Sequence, residues 1–157
     1  MTSIKIIELP AERWQEYKDL HISMLKTYPQ SYGSSLEEYT QRTDEKWQEH
    51  LLKAQKRNII LLFAEVEGQI VGSAAARFYD NTKEAHKATI YAVGVLPEFQ
   101  GQGIGRKLMV AILEQLESNP KIRKIDLDVN TVQMAAYKLY ESLGFVKVGE
   151  FHRELMI

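Results

Sequence analysis

No cysteine occurs among the 157 residues. That absence removes a disulfide framework, a thiol nucleophile, a cysteine-ligated zinc and an acyl intermediate carried on cysteine. Long apolar runs are also missing. The longest, residues 59–64, falls far short of the roughly 18 to 20 residues of a membrane span and leads into Glu65 and Glu67, so no membrane role is expected. Charge of one sign is missing too: 20 Lys+Arg against 21 Asp+Glu leave a net charge of -1. Phosphate-driven binding normally shows as a basic excess, and no nucleic-acid partner is expected. The first ten residues hold a single Lys5 and no apolar core ending in small residues, which does not read as a secretory signal; a cytoplasmic protein is expected. What remains is a 45% hydrophobic chain of a length that suits one domain over residues 1–157.

Hydrophobic spacing divides the chain. Ile4, Ile6 and Ile7 predict a short strand, and Pro10 suits the first turn of a following helix, where its missing N–H costs nothing. Trp14, Tyr17, His21, Met24, Leu25 and Tyr28 recur at three- and four-residue steps until Pro29, placing them on one core-facing stripe. Ser35 with Glu38 forms a capping-box pattern, and Asp44 precedes a second helical pattern with Trp47, Leu51 and Ala54. Residues 34–57 therefore read as helical with a break near Thr43. From Asn58 the period changes to that of strands. Residues 59–66, a Glu67-Gly68 turn and residues 70–79 predict a hairpin, and residues 88–96 a third antiparallel strand ended by Pro97. A helix at about 103–118, a strand at 122–129, a helix at about 133–143 ending at Gly144, and a final strand suggested by loose alternation over 145–155 complete the chain.

Between the third strand of that meander and the next helix stand Gly101, Gly103 and Gly105. The helix is amphipathic through Ile104, Leu108, Ile112 and Leu116. Free N–H groups at a helix start carry partial positive charge, and glycine lets a ligand approach the backbone without a Cβ clash. Arg106 and Lys107 sit in the first turn, where the helix dipole disfavours cations by a few tenths of a kcal/mol each; a bound anion would relieve that conflict. A Walker loop needs Gly-Lys-Ser/Thr, and Leu108 follows Gly-Arg-Lys here, leaving no hydroxyl for magnesium. A dinucleotide fingerprint needs a third glycine where Arg106 stands, although Asp126 lies about twenty residues on, as a ribose-binding acid should. A dinucleotide-binding domain stays open as the lesser alternative.

The residues Gln100-x-x-Gly103-x-Gly105, after a strand ending in Val95-x-Pro97, resemble the acyl-CoA pyrophosphate loop of the GNAT N-acetyltransferase family. Leu127-Asp128-Val129, then Gln133, Ala136, Leu139-Tyr140-Glu141 and Gly144-Phe145, is similar to that family's following strand and helix. The two motifs in order cover roughly residues 58–150. The resemblance implies an α/β (α+β) GNAT fold: a mixed, mostly antiparallel sheet of about six or seven strands flanked by helices and splayed at the acyl-CoA site. It implies acetyl-CoA as cosubstrate with no metal, an amine acceptor as the other partner, and direct acetyl transfer; a homodimer is compatible with such a fold. Backbone groups of Val93, Gly94 and Val95 would pair with the pantetheine arm as an added strand does. The loop opened by Gln100, with Gly101, Gln102, Gly103, Ile104, Gly105 and Arg106, would hold the pyrophosphate. Tyr140 would lie near the thioester sulfur, both binding cofactor and protonating the departing thiolate, with Tyr137 on a different helical face. The family's cofactor-binding asparagine is Gln133 here, with Asn130 three residues earlier. Glutamine keeps an amide donor and acceptor at that place.

Transfer to an amine sets a chemical requirement. An amine with a pKa of about 10.4 is neutral only about once in 2,500 molecules at pH 7, a deprotonation cost of roughly 4.6 kcal/mol. A carboxylate, a histidine or a water chain has to accept the proton. Asp128 is the first candidate, at the end of the splayed strand; His86 near the start of the third meander strand is a second. A backbone N–H at residues 93–95 would meet the oxyanion, so no charged side chain is required there. The alternative is a noncatalytic acyl-CoA-binding or interaction module on the same fold. Trp14, Tyr28, Tyr32, Tyr39 and Trp47 are candidates for lining an acceptor cleft or for core.

Overall fold

A computed structural model describes residues 3–28, 36–129 and 134–149. Five strands form one sheet in the order β1 to β5: β1 Ile4–Ile7, β2 Ile59–Val66, β3 Gln69–Phe78, β4 Lys87–Val95 and β5 Lys124–Leu127. The helices are α1 Trp14–Thr27, α2 Leu36–Gln41, α3 Asp44–Gln55, α4 Ile104–Glu117 and α5 Met134–Ser142. Pairing is antiparallel from β1 through β4 and parallel between β4 and β5. The sheet is thus mixed and mostly antiparallel, as expected, but smaller than the six or seven strands anticipated. Part of the difference lies at the C-terminal end: residues 145–149 are not in a strand, and the rest of the anticipated final strand lies outside the described residues.

The elements form where the local chemistry permits. Glu67 and Gly68 both have positive φ, 50° and 82°, the requirement of the tight turn whose twist matches paired strands. The helical region of residues 34–57 does break at Thr43. Its side chain accepts a hydrogen bond from the Lys46 amide, so Thr43 is the N-cap of α3 and Asp44 is the first helical residue. Ser35 of the anticipated capping box lies outside the described residues. The fifth strand is shorter than anticipated at both ends. Ile122 N–H is held in a turn by the Asn119 carbonyl, and Arg123 and Lys124 N–H both donate to the His86 carbonyl, which sets the start of β5 against β4.

Alternation along the strands builds a core on each face. Leu62, Ala64, Ala74, Ala76, Ala88 and Ile90 turn toward Ile104, Leu108, Met109, Ile112 and Leu116 of α4 and Tyr140 of α5. Leu61, Phe63, Ile70 and Ala75 turn the other way, onto Tyr17, Leu20 and Met24 of α1 and Trp47 and Leu51 of α3. The stripe read from α1 is therefore core, and Trp47 is fully buried. The small residues of β3 let α4 lie close. A Cβ added at Gly72 would stand 2.9 Å from the Gly94 carbonyl oxygen and 3.3 Å from Leu108 Cδ1. Among the described residues no helix is long and apolar enough to cross a membrane.

Candidate active site

The sheet opens between β4 and β5. Their ladder runs from Lys87 opposite Lys124 to Ile90 opposite Leu127 and stops there. Just beyond, β4 carries a bulge. Ser73 pairs with Gly94 and Ala75 with Tyr91, so Ala74 faces two residues, Ala92 and Val93. Ala92 takes φ of 51°, a left-handed conformation rarely adopted by residues with a Cβ. The extra residue reverses the alternation: Ala88 and Ile90 face α4 before it, and Val93 and Val95 do so after it. Tyr91, just before the bulge, faces the α1–α3 side.

Backbone groups point into the opening. Leu96 N–H donates to the Val71 carbonyl at 2.8 Å, so the alternation of an antiparallel ladder turns the N–H and C=O of Val95 away from β3. Gln100 reaches the same place. Its Nε2 donates to the Val95 carbonyl at 3.2 Å and to the Tyr28 hydroxyl at the end of α1. The Gln100 side chain is thus a tie between α1 and β4, a role that its place at the head of the glycine motif gave no means of anticipating.

The glycine loop follows a 3-10 turn at Pro97–Phe99. Gly101 and Gly103 have φ of 81° and 79°, and a Cβ at either would meet nothing within 4 Å. These glycines therefore answer to backbone conformation and leave open space above them. Gly103 is the N-cap of α4 with no side-chain cap, and the first turn of α4 holds no acidic residue. Gln100 N–H donates to Pro97 and Lys107 N–H to Gly103; for the amides in between, Gly101, Gln102, Gly103, Ile104, Gly105 and Arg106, there is no acceptor among the described residues. The cation conflict in the first turn is resolved in part inside the protein: Arg106 Nη2 donates to Ser142 Oγ at 2.8 Å and ties α4 to α5. Lys107 remains exposed.

Tyr140 stands on α5 with 8% exposure, its ring 6.2 Å from that of Phe145 in an edge-to-face arrangement. Burial pushes its hydroxyl up to about 12, so the phenol keeps its proton through the physiological range. Tyr137 is on the same helix but only half-buried. Asp128 lies one residue beyond β5 and is exposed. Its neighbour Asp126 is half-buried and accepts a hydrogen bond from Thr89 Oγ1 at 2.6 Å; Thr89 is also bonded to the Tyr79 hydroxyl at 2.7 Å. His86 is exposed, and its contribution is the carbonyl that seats β5. Gln133 and Asn130 lie outside the described residues, as does Tyr32.

On the α1–α3 side of the opening, half-buried Tyr28, Tyr39 and Tyr91 pack against the core of that face. Beneath them His21 is fully enclosed, and burial drives its imidazole down to about 3, so it is neutral. Tyr17 donates to or accepts from His50 Nδ1 at 3.0 Å. Tyr91 was missed in the sequence because it falls within a strand that periodicity reads only as core. Among the described residues no group of three or more His, Asp or Glu is placed to hold a metal ion. A concavity of about 450 Å³ lined by Ile6, Leu62, Ala111 and Glu114 lies at β1, the sheet edge opposite the β4–β5 opening.

The comparisons with known proteins agree with this geometry. A model of the acetyltransferase (GNAT) family matches residues 17–145. The chain is 39% identical over 89 residues to an N-acetylaspartate synthetase of Danio rerio, an alignment covering 55% of this chain and 29% of that protein. The chain spans less than a third of that relative's length. In structure it resembles an acetyltransferase of the GNAT family from Streptococcus pneumoniae, with a TM-score of 0.86 and 23% identity over 99% of this chain and 92% of the other. It also resembles the PaiA N-acetyltransferase of Thermoplasma acidophilum in complex with coenzyme A, with a TM-score of 0.76 and 21% identity over 96% and 93% of the two chains. With the family model spanning most of its length, and the open strand edge and glycine-led helix lying inside the matched region, the chain belongs to the acetyltransferase (GNAT) family.

Proposed function

We propose that this protein transfers an acetyl group from acetyl-CoA directly to a primary amine. The observation that carries the reading is the run of amides from Gly101 to Arg106, without acceptors among the described residues, at the start of α4 and beside the β4–β5 opening. A pyrophosphate supplies the anion that such a helix start attracts. The structural neighbour in complex with coenzyme A supports the same assignment.

The residues fit such a group. The outward N–H and C=O of Val95, with Val93 and Gly94 beside them, offer a strand edge to the pantetheine amides. The Val95 carbonyl has a second lone pair, so it accepts from a ligand without losing Gln100. Acetyl-CoA supplies an activated acetyl group, whose carbonyl carbon bonds to the amine nitrogen as its C–S bond breaks. A β4 amide turned into the opening stabilises the charge that develops on the carbonyl oxygen, with no charged side chain needed. Tyr140, whose phenol is neutral at physiological pH, holds the proton that the departing sulfur takes up. The amine proton leaves to Asp128 or a water beside it. Gln133 and Asn130 complete the proposed cofactor set.

Thiol release with a panel of amines, combined with acetyl-CoA calorimetry, tests this reading. Saturable acetyl-CoA binding with amine-dependent release of CoA is expected. Binding without turnover of any amine would leave a noncatalytic module, and preferential binding of NAD would leave the dinucleotide reading.

A further inference from the structure

The cofactor site proposed above leaves the amine one approach. The free amides open α4, and α4 packs on one face of the sheet, so a cofactor held there fills the opening from that face. The acceptor then arrives across the other face, past Tyr91 and Tyr39. That face carries two arginines in an unusual state. Arg77 on β3 lies 5.8 Å from the ring centroid of Tyr79 and 5.9 Å from that of Tyr91. Arg42, in the turn between α2 and α3, lies 4.7 Å from the Tyr39 ring centroid and 4.8 Å from that of Trp47. Aromatic faces satisfy the plane of a guanidinium and leave its in-plane N–H donors unspent. Among the described residues neither Arg42 nor Arg77 has a carboxylate partner, whereas Arg13 holds Glu16 and Glu65, and Arg57 holds Glu8.

The same face carries carboxylates at its other side, toward the opening. Arg77 is opposite Thr89, and Thr89 is opposite Asp126, so the three form one row across β3, β4 and β5. With strands about 4.8 Å apart, the row sets the backbone of Arg77 about 10 Å from that of Asp126. Asp128 follows two residues along the chain, at the opening itself. The face is therefore cationic at Arg77 and Arg42, while at β5 the carboxylates of Asp126 and Asp128 lie at the end nearer the opening and Lys124, opposite Lys87, at the far end.

We infer that the acceptor is an amine that also carries a carboxylate, its anionic group drawn to the Arg77 and Arg42 side and its amine to the β5 side of the opening. This rests on the acetyl-transfer reading and narrows it. A polycationic amine would set its surplus charge against unpaired guanidiniums, a like-charge arrangement that disfavours it.

The test is acetyl-CoA-dependent thiol release with L-amino acids, their C-terminal amides and spermidine. Deprotonation of the amine is easier in the amide, so a preference for the acid cannot come from amine basicity. We expect kcat/KM at least tenfold higher for the best acid than for its amide. That ratio should fall at least tenfold in Arg77→Gln and less in Arg77→Lys, with Arg42→Gln moving it in the same direction. Arg77 is exposed on the sheet, and circular dichroism of each variant is the check that it folds. Amides or spermidine used as well as acids, or a ratio unmoved by Arg77→Gln, would overturn the inference. Acetyl-CoA binding with no acid acetylated would overturn it while leaving the cofactor site standing; no acetyl-CoA binding would overturn both.

Discussion

Burial shifts both Tyr140 and His21 toward their neutral forms. Removing the hydroxyl of Tyr140 keeps its ring against Phe145 and takes away only the proton donor. We expect Tyr140→Phe to lower kcat by about 10²- to 10⁴-fold, the range of a positioned acid, with acetyl-CoA affinity within a few fold. Equal turnover in both proteins, measured by thiol release, would remove Tyr140 from that role. His21 makes a prediction about stability. Its folded imidazole is held near 3 against an ordinary value of 6.5, so the unfolded chain binds the extra proton between those limits. Stability is fully present above about pH 6.5 and is lost as pH falls toward 3, at up to roughly 1.4 kcal/mol per pH unit from this one group. Urea melts at pH 7, 5.5 and 4.5 should show that slope, and it should be shallower in His21→Gln. These roles are of unequal legibility in sequence. Helical spacing placed His21 on the core stripe, but spacing says nothing about how completely a ring is enclosed, and enclosure sets its charge.

At the scale of elements, the bulge in β4 and the tight seat of α4 on β3 create the opening. Gly72 marks their contact, since its Cβ would meet the Gly94 carbonyl at 2.9 Å. We expect Gly72→Ala to cost about 1 to 3 kcal/mol, the range for overpacking, and to weaken acetyl-CoA binding because Gly94 lies in the strand edge offered to the cofactor. Calorimetry that finds stability lowered and affinity unchanged would mean that the edge does not bind. Gly103 separates conformation from space. A Cβ there meets nothing, but its φ of 79° costs an alanine roughly 1 kcal/mol. Gly103→Ala should therefore lose about that much stability and lose acetyl-CoA affinity as the loop shifts. Turn residues and periodicity made the meander, the helix of the glycine loop and the break at Thr43 legible. The bulge was not legible, because Ala92 and Val93 look like any strand pair; only the pairing with Ser73 and Ala75 reveals the extra residue.

For the whole molecule, the two cores divide labour across one sheet. One side carries α4 and α5 with the proposed cofactor groups, and the other carries α1, α2 and α3 with the tyrosines and arginines of the proposed acceptor face. The near-zero net charge hid this division, because a composition sums over both faces. The glycine motif marked the proposed cofactor side in the sequence. Arg42, Arg77 and Tyr91 are far apart along the chain and bear no common motif, so only the fold brings them to one face. On the proposed function, the Gly101 to Arg106 amides and the Val93 to Val95 edge hold acetyl-CoA. Titration of isotopically labelled protein with acetyl-CoA, followed at the backbone amides, tests it most directly. The largest shifts should fall at Gly101, Gly103, Gly105 and Val95, with little change at Ile6 and Glu114 beside the concavity on the opposite edge. Shifts centred on that edge, or none at the glycine loop at saturation, would contradict the account.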